Sequence, residues 1–412
     1  MSELLSGLDI GTATVTCVAG EPIEGGGVRM LGAGQAPVDG AVREGMLLDV
    51  GAVVEAIHRA VSEAALLCTE DIGSVFVSVS GSHVRGFDGT GTVSVEKPDG
   101  DSPHEITEDD VARAEEAARL VRLPPGSRVL DIVKRDYCVD GFDRIRKPPI
   151  GLMAEQISAR TYTVMADRLA VSNIESAVEA AGLDIEGIIP AALASGAAVL
   201  TPDEMEMGVA LADMGGGTTD VAVFKNGTLA YLGVVPLGGN SVTSDLQALR
   251  IPWAQAEKLK TDWAVASSSL VDPNQSTKVM RLGGRGTFSV SHAVVSQVAG
   301  QRVEEILEAV ALEISRSGID AVDLPGGLIL TGGGSRLRGI AELAGRITGL
   351  PAETGVPTGF ETSTELVLAP EFSTAAGLVL LGRERREAAG GRRAGFLGEL
   401  TKWISGIAGR LR

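Results

Sequence analysis

Along this chain apolar residues recur first at every second position, then at every third or fourth, and the alternation of the two periods predicts an α/β protein. Leu8 and Ile10, then Val15 and Val18, predict two strands joined through Gly11-Thr12-Ala13-Thr14. Residues 18–31 read as strand, a Gly25-Gly26-Gly27 turn and strand. Val53, Val54, Ile57, Ala60, Val61, Ala64 and Leu67 keep helical spacing and predict a helix over 50–67. A strand over 72–80 then enters a turn at Gly81. From 83 to 163 the texture changes to short, turn-rich strands around 89–95. A helix begins there at Thr107, with Asp110 three residues on as in a capping box, and stops at Leu123-Pro124-Pro125-Gly126. This stretch is far too long for an ordinary connection and predicts a small inserted domain. A strand over 161–165, a helix over 167–181, a strand over 185–189 and a helix begun at Pro190 lead into the rest of the chain.

The second half restates the first. In Leu211-Ala212-Asp213-Met214-Gly215-Gly216-Gly217-Thr218-Thr219-Asp220, an apolar strand delivers an aspartate, glycines turn the chain, and hydroxyl residues open the next strand, which continues to a turn at Asn226-Gly227. Leu8-Asp9-Ile10-Gly11-Thr12-Ala13-Thr14 has the same order of parts. Glycines let neighbouring N–H groups converge on an anion without Cβ interference. An aspartate at the strand end can hold the hydrated magnesium that accompanies a phosphate. Either stretch alone could be a glycine-rich hairpin with a capping aspartate; the pair predicts two related halves clamping one nucleotide. Gly238-Gly239-Asn240 introduces a further helix, and the next carries Glu257 and Lys260. A polar, Gly-rich excursion runs to residue 300, and an amphipathic helix is predicted over 301–317. A strand over 327–331 enters Gly332-Gly333-Gly334-Ser335, and a last helix starts within 371–377 and ends near Gly382.

Composition narrows the class. The 412 residues suffice for two or more compact units, and with 3% aromatic residues their cores are aliphatic. Cys17, Cys68 and Cys138 lack CxxC spacing, which suits a reducing cytosol and no structural zinc. Met1-Ser2-Glu3 lacks the basic start of a signal peptide, and the most apolar run, residues 187–200, is shorter than the ~20 residues a membrane span needs. The net charge is −18, yet residues 383–412 hold eight basic and three acidic side chains. An acidic body with a basic tail argues against nucleic-acid binding by the body and gives the tail its own task. On a helical projection Phe396, Leu397, Leu400, Trp403, Ile404, Ile407 and Leu411 share one face, opposite Glu399, Lys402, Ser405, Arg410 and Arg412. That is the pattern of a helix lying in a membrane surface; a terminal helix docked on the body is the alternative. One such tail is a weak anchor, and many on a polymer are a strong one.

With three glycine loops each following a strand, the chain resembles the actin/hexokinase/DnaK-type ATPase superfamily. The insertion and the tail make it resemble, over essentially its whole length, the FtsA family of bacterial cell-division actin homologues. The resemblance implies a duplicated actin-like ATPase fold, two RNase H-like halves around a nucleotide cleft, with an inserted α+β domain and a C-terminal amphipathic helix. Its implied divisions are residues 1–82 with 164–198 and 199–226 with 302–382 for the two halves, 83–163 for the insertion and 227–301 for a small domain of the second half. A basic linker, 383–395, and the helix, 396–412, complete it. ATP and Mg2+ are the implied cofactors. Asp9 and Asp213 would face the metal through water. Gly11, Thr12, Ala13, Thr14, Gly215, Gly216, Gly217, Thr218 and Gly239 would surround the phosphates. Glu257 and Lys260 would turn toward ribose and adenine, although a solvated helix face would read alike. Gly332, Gly333, Gly334 and Ser335 would line the base pocket.

Relatives draw a Gln or Glu for hydrolysis from the segment that here reads Ile189-Pro190-Ala191-Ala192-Leu193-Ala194-Ser195-Gly196, where only Ser195 is polar. Slow or conditional hydrolysis is therefore expected. The resemblance further implies a scaffold that polymerises with itself on the cytoplasmic face of the membrane. It would bind the C-terminal peptide of FtsZ through 227–301 and meet later division proteins through the insertion. An actin-like assembly factor for pili or secretion, or a small-molecule kinase with the same core, are the alternatives.

Overall fold

The computed structural model describes residues 4–390 apart from 25, 69, 96–102, 121, 268, 270 and 273. The predicted amphipathic helix at 396–412 and the linker beyond 390 lie outside the described residues.

Two sheets carry the architecture, and they have one topology. In the first, Leu5–Ile10 pairs antiparallel with Thr14–Ile23, which pairs antiparallel with Gly27–Pro37. On its other side Leu5–Ile10 runs parallel to Ser74–Val79, which runs parallel to Asp184–Pro190. In the second, Val209–Met214 pairs antiparallel with Thr219–Lys225, and that with Thr228–Val235. Val209–Met214 runs parallel to Leu328–Thr331, and that to Ala352–Thr354. Each sheet therefore places its aspartate-bearing strand at the centre, hydrogen-bonded on both sides, with both faces covered. The burial pattern agrees: every residue of Val209–Met214 is buried, as expected of a strand sandwiched between helices.

The helix Val50–Ala64 packs Val53, Ile57 and Ala60 on the first sheet, following its predicted periodicity. Two helices run between the sheets, Ala191–Val199 and Ser373–Gly390, and they lie in close contact. A Cβ on Gly377 would come within 1.7 Å of the Ala194 carbonyl oxygen, so glycine is what permits their approach.

The inserted segment forms a four-stranded sheet in the order Phe142–Ile145, Ser127–Val139, Gln156–Asp167, Arg85–Ser94, with the helix Glu108–Arg119 against it. The capping box is present, with Thr107 and Asp110 exchanging hydrogen bonds. This domain has a small core of its own that includes Ile106, Val111, Ala114, Tyr137 and Ile157. The far ends of its two long strands join the first half's core through Val133, Tyr162 and Val164.

Two sequence expectations are corrected. The helix expected over 301–317 spans His292–Arg316. Its first turns are hidden in a polar-looking stretch because their inward face is small or polar. Ser296 donates to the Trp263 carbonyl at 3.4 Å and accepts from the Val265 N–H at 3.3 Å, and Gly300 sits against Ala266. The last helix does not end near Gly382 but continues to Gly390, so 383–390 is not a free linker. Its arginines hold it down: Arg385 pairs with Asp131 at 3.1 Å and donates to the Ile188 carbonyl, and Arg386 pairs with Glu186.

Candidate functional site

The two aspartate strands end at a common cavity of about 560 Å³, lined from both halves. That volume is within the range of small-molecule sites. Asp9 leaves the end of Leu5–Ile10 and accepts the Ser78 hydroxyl at 2.5 Å. Asp213 leaves the end of Val209–Met214 and accepts the Thr374 hydroxyl at 2.8 Å. The loops beyond them close identically: Gly11 N–H donates to the Thr14 carbonyl and Gly215 N–H to the Thr218 carbonyl, both at 2.9 Å. They also touch. A Cβ on Gly217 would lie 2.6 Å from the Thr12 side chain, so the glycines let two loops from two sheets meet over the cavity.

Gly11, Thr12, Ala13, Thr14, Gly215, Gly216, Gly239, Glu257, Lys260, Gly332, Gly333 and Gly334 all line the cavity together with the two aspartates. Gly239 does so with its N–H already donated to the Gly215 carbonyl, which makes it a support for the loop. Glu257 accepts from Thr243 at 2.5 Å and pairs with Lys260 at 2.8 Å, while Lys260 donates to the Gly239 carbonyl at 3.1 Å. The pair is thus built into the cavity wall rather than spread over a solvated face. Gly332 has φ +76° and sits so close to Asp213 that a Cβ would fall 2.3 Å from the carboxylate oxygen.

Three residues named from the sequence do not line the cavity. Gly217 is covered by Thr12, Thr218 is buried with its hydroxyl 3.2 Å from that of Ser80, and Ser335 donates to the Gly332 carbonyl at 2.8 Å. Residues missed from the sequence include Gln35, Asn240, Arg336, Glu371 and Thr374, all in the lining. Arg336 and Glu371 form an ion pair of 2.6 Å at the third glycine loop, and the second carboxylate oxygen of Glu371 is buried with no hydrogen-bond partner. Such an acceptor suits a ligand hydroxyl or amine.

Behind the lining, and not part of it, stands a third carboxylate that the sequence reading passed over, Asp220. It stands directly opposite Asp213 in the strand register, is buried, and accepts the Ser80 hydroxyl at 2.6 Å. The corresponding register position in the first half is Thr16, opposite Asp9, and Thr16 accepts from Gln35 at 3.1 Å. A signal was present: both residues sit at the same offset from their aspartates, in the strand after each loop.

Burial governs the charge of this group. It pushes the Asp9 carboxyl up to about 6, with the Ser78 hydrogen bond pulling the other way and the Asp213 charge adding to the rise. Asp213 is likewise pushed up by burial, against hydrogen bonds from Thr374 and Ser195. Asp220 is pushed up to about 8, by burial and by the charges of Asp213 and Asp9. Ser195, the one polar side chain of the connecting segment, shares its single hydroxyl proton between Asp213 and the Ala191 carbonyl. Among the described residues no group of three or more His, Cys, Asp or Glu is placed to ligate a metal directly. Two buried carboxylates from separate sheets, with the Asp213 charge disfavouring that of Asp9, nevertheless fit a hydrated divalent cation held through water, which would relieve that repulsion.

Comparison with known proteins bears on the family and the fold. The family model "Cell division protein FtsA" matches residues 210–377, and "SHS2 domain inserted in FTSA" matches residues 81–165. Cell division protein FtsA of Neisseria meningitidis serogroup B is 36% identical over 415 residues, covering 97% of each chain. That of Escherichia coli K12 is 34% identical over 390 residues, covering 93% of this chain and 91% of its own. Among solved structures, a PilM–PilN type IV pilus biogenesis complex superposes with TM-score 0.63 at 19% identity, covering 92% of this chain and 98% of that one. MreB5 of Spiroplasma citri bound to ADP gives 0.55 at 13% identity, covering 95% and 99%. At such identities the likeness is one of fold: actin-like, with two related halves and, in this chain, an inserted SHS2 domain.

Proposed function

The chain belongs to the family of cell division protein FtsA, and from that premise we propose that it is an ATP-binding, actin-like scaffold of the division machinery. The observation that carries the nucleotide is the meeting of two equivalent glycine loops over one cavity, with Asp9 and Asp213 delivered to it from two sheets. Phosphates would lie against the loop N–H groups. Mg2+ would be held through water by Asp9 and Asp213, where it would neutralise charge on the phosphates. Glu257, Lys260 and the Gly332–Gly334 loop would enclose the ribose and base. Solved MreB5 structures of the same fold, bound to ADP and to AMPPNP, support this use of the cleft.

No Gln or Glu stands in the connecting helix Ala191–Val199, and its one polar side chain, Ser195, donates to the Ala191 carbonyl, so the helix offers no base to deprotonate an attacking water. Hydrolysis should be well below about one turnover per second, the low end of ordinary enzymes. ATP then serves as a ligand for shape and assembly. On this reading the protein polymerises on the cytoplasmic face of the membrane, anchored by its C-terminal helix. It tethers FtsZ filaments by their C-terminal peptide and recruits later division proteins through the inserted domain. Electron microscopy of the full chain on a lipid monolayer with Mg-ATP should reveal filaments, and immobilised FtsZ C-terminal peptide should retain the protein. A chain that binds neither ATP nor the peptide, or that turns over ATP many times per second, would overturn the reading.

A further inference from the structure

The inserted domain is fastened to the first half by the chain itself, yet its side chains hold the second half. Arg135, on the strand Ser127–Val139, donates to the Leu229 carbonyl at 3.3 Å and to the Ala230 carbonyl. Those carbonyls belong to Thr228–Val235, the strand at one edge of the second sheet. Tyr162, on the strand Gln156–Asp167, accepts the Leu232 N–H at 2.9 Å, and the Arg135 guanidinium lies 4.5 Å above its ring. Arg146 pairs with Glu206 and donates to Asn226 at 2.8 Å, both residues of the second half. A sheet edge exposes unpaired backbone groups, and here Arg135 and Tyr162 of the insertion occupy part of it, while Arg146 holds side chains beside it. The same strand that carries Arg135 also meets the last helix, through Asp131 and Arg385. At its root the insertion follows Ser78 and Ser80, which hold Asp9 and Asp220.

A body attached to both sides of a cleft cannot stay still when the two sides move relative to one another. We propose that the inserted domain is a sensor of the cleft, coupled to the second half through Arg135, Tyr162 and Arg146, so that nucleotide filling the cleft changes the domain's position and protection. By reciprocity, a ligand that fixes the inserted domain changes the affinity of the cleft by the same factor. The inference rests on the nucleotide reading above but concerns residues outside the cavity lining.

The test is hydrogen–deuterium exchange of the full chain with and without Mg-ATP, alongside direct titration with a fluorescent ATP analogue. In the parent, Mg-ATP should change exchange about fivefold or more in residues 85–94 and 127–139 as well as in 209–220, the lower end of ordinary coupling. In Arg135→Met/Arg146→Met, which keeps the apolar stems, the change in 209–220 should persist while that in the inserted domain falls away. Tyr162→Phe, which removes only a hydroxyl, should reduce it in the same direction and guards against misfolding of the double variant. An inserted domain that does not respond to bound ATP, or responds equally in these variants, overturns the inference alone. Absence of ATP binding to the parent, read directly in the titration, overturns it together with the nucleotide reading.

Discussion

At the scale of the residue, the site is a group of buried carboxylates whose charge the fold itself resists. Asp9 and Asp220 are pushed from an ordinary value near 3.8 up to about 6 and about 8, so the folded chain binds protons that the unfolded chain has released. The sign follows: stability of the nucleotide-free protein falls as pH rises from about 4 to 6 through Asp9 and on to about 8 through Asp220. Mg-ATP should reverse this by compensating the charges. The rise in melting temperature on adding Mg-ATP is expected to be larger at pH 8 than at pH 6, as read by scanning fluorimetry at both. In the apo protein Asp220→Asn should remove the fall between pH 6 and 8, at about 1 °C per kcal/mol recovered for a chain of this length. Asp213→Asn should weaken Mg-dependent ATP binding about 10–100-fold, the usual loss when a group orienting a metal's ligands is removed. Its unliganded melting temperature should not drop, since a buried charge is removed; titration with and without EDTA, plus a thermal melt, checks both halves.

At the scale of the element, the last helix gathers functions that look unrelated along the chain. Its first turn supplies Thr374 to Asp213, its middle packs through Gly377 on the helix Ala191–Val199, and its end carries Arg385 to Asp131 of the inserted domain. Arg385 and Asp131 are both largely buried, with side-chain exposures of 17% and 6%. Removing one partner of such a pair leaves a buried charge uncompensated, at a cost of about 3–5 kcal/mol. Arg385→Ala should therefore destabilise the chain strongly in urea unfolding, and adding Asp131→Asn should restore much of the loss. Equal destabilisation by the single and double variants would mean that the ion pair is not what holds the helix end. The helix could be recognised from its apolar first half, Ala375, Ala376, Leu378 and Val379. Its second half, rich in Arg and Glu, carries no apolar stripe to mark it, because polar partners on the body hold it.

At the scale of the molecule, a duplicated sheet accounts for the site, and an insertion spans the halves. On the proposed reading, attachment to a membrane would rest on the tail, whose apolar residues include Trp403 and Ile407. Burying that face in a bilayer is favourable by about 1.5 kcal/mol or more for each large apolar side chain, set against the cost of ordering the segment. Trp403→Glu should release the full chain from anionic liposomes in a flotation or sedimentation assay. Unchanged association would refute membrane binding by this tail. Filament formation should strengthen the parent's association, because many weak anchors then act together.

The sequence alone was enough to recognise the duplication, the three glycine loops and the insertion, because each is written in local spacing: an aspartate after an apolar run, glycines after the aspartate, and a stretch too long to be a loop. It also sufficed to name most of the cavity lining, from Gly11 to Gly334. Only the tertiary structure decided which polar groups complete the site. Thr374 reaches Asp213 across 161 positions, Ser80 reaches Asp220 across 140, and Ser78 reaches Asp9 across 69. No local period encodes such pairs, since each depends on where two strands and a helix end after packing. The same holds for the grip of Arg135, Tyr162 and Arg146 on the second half. Their partners are backbone carbonyls and an N–H, a glutamate and an asparagine, groups that nearly any stretch of chain can offer and that only the packed fold selects.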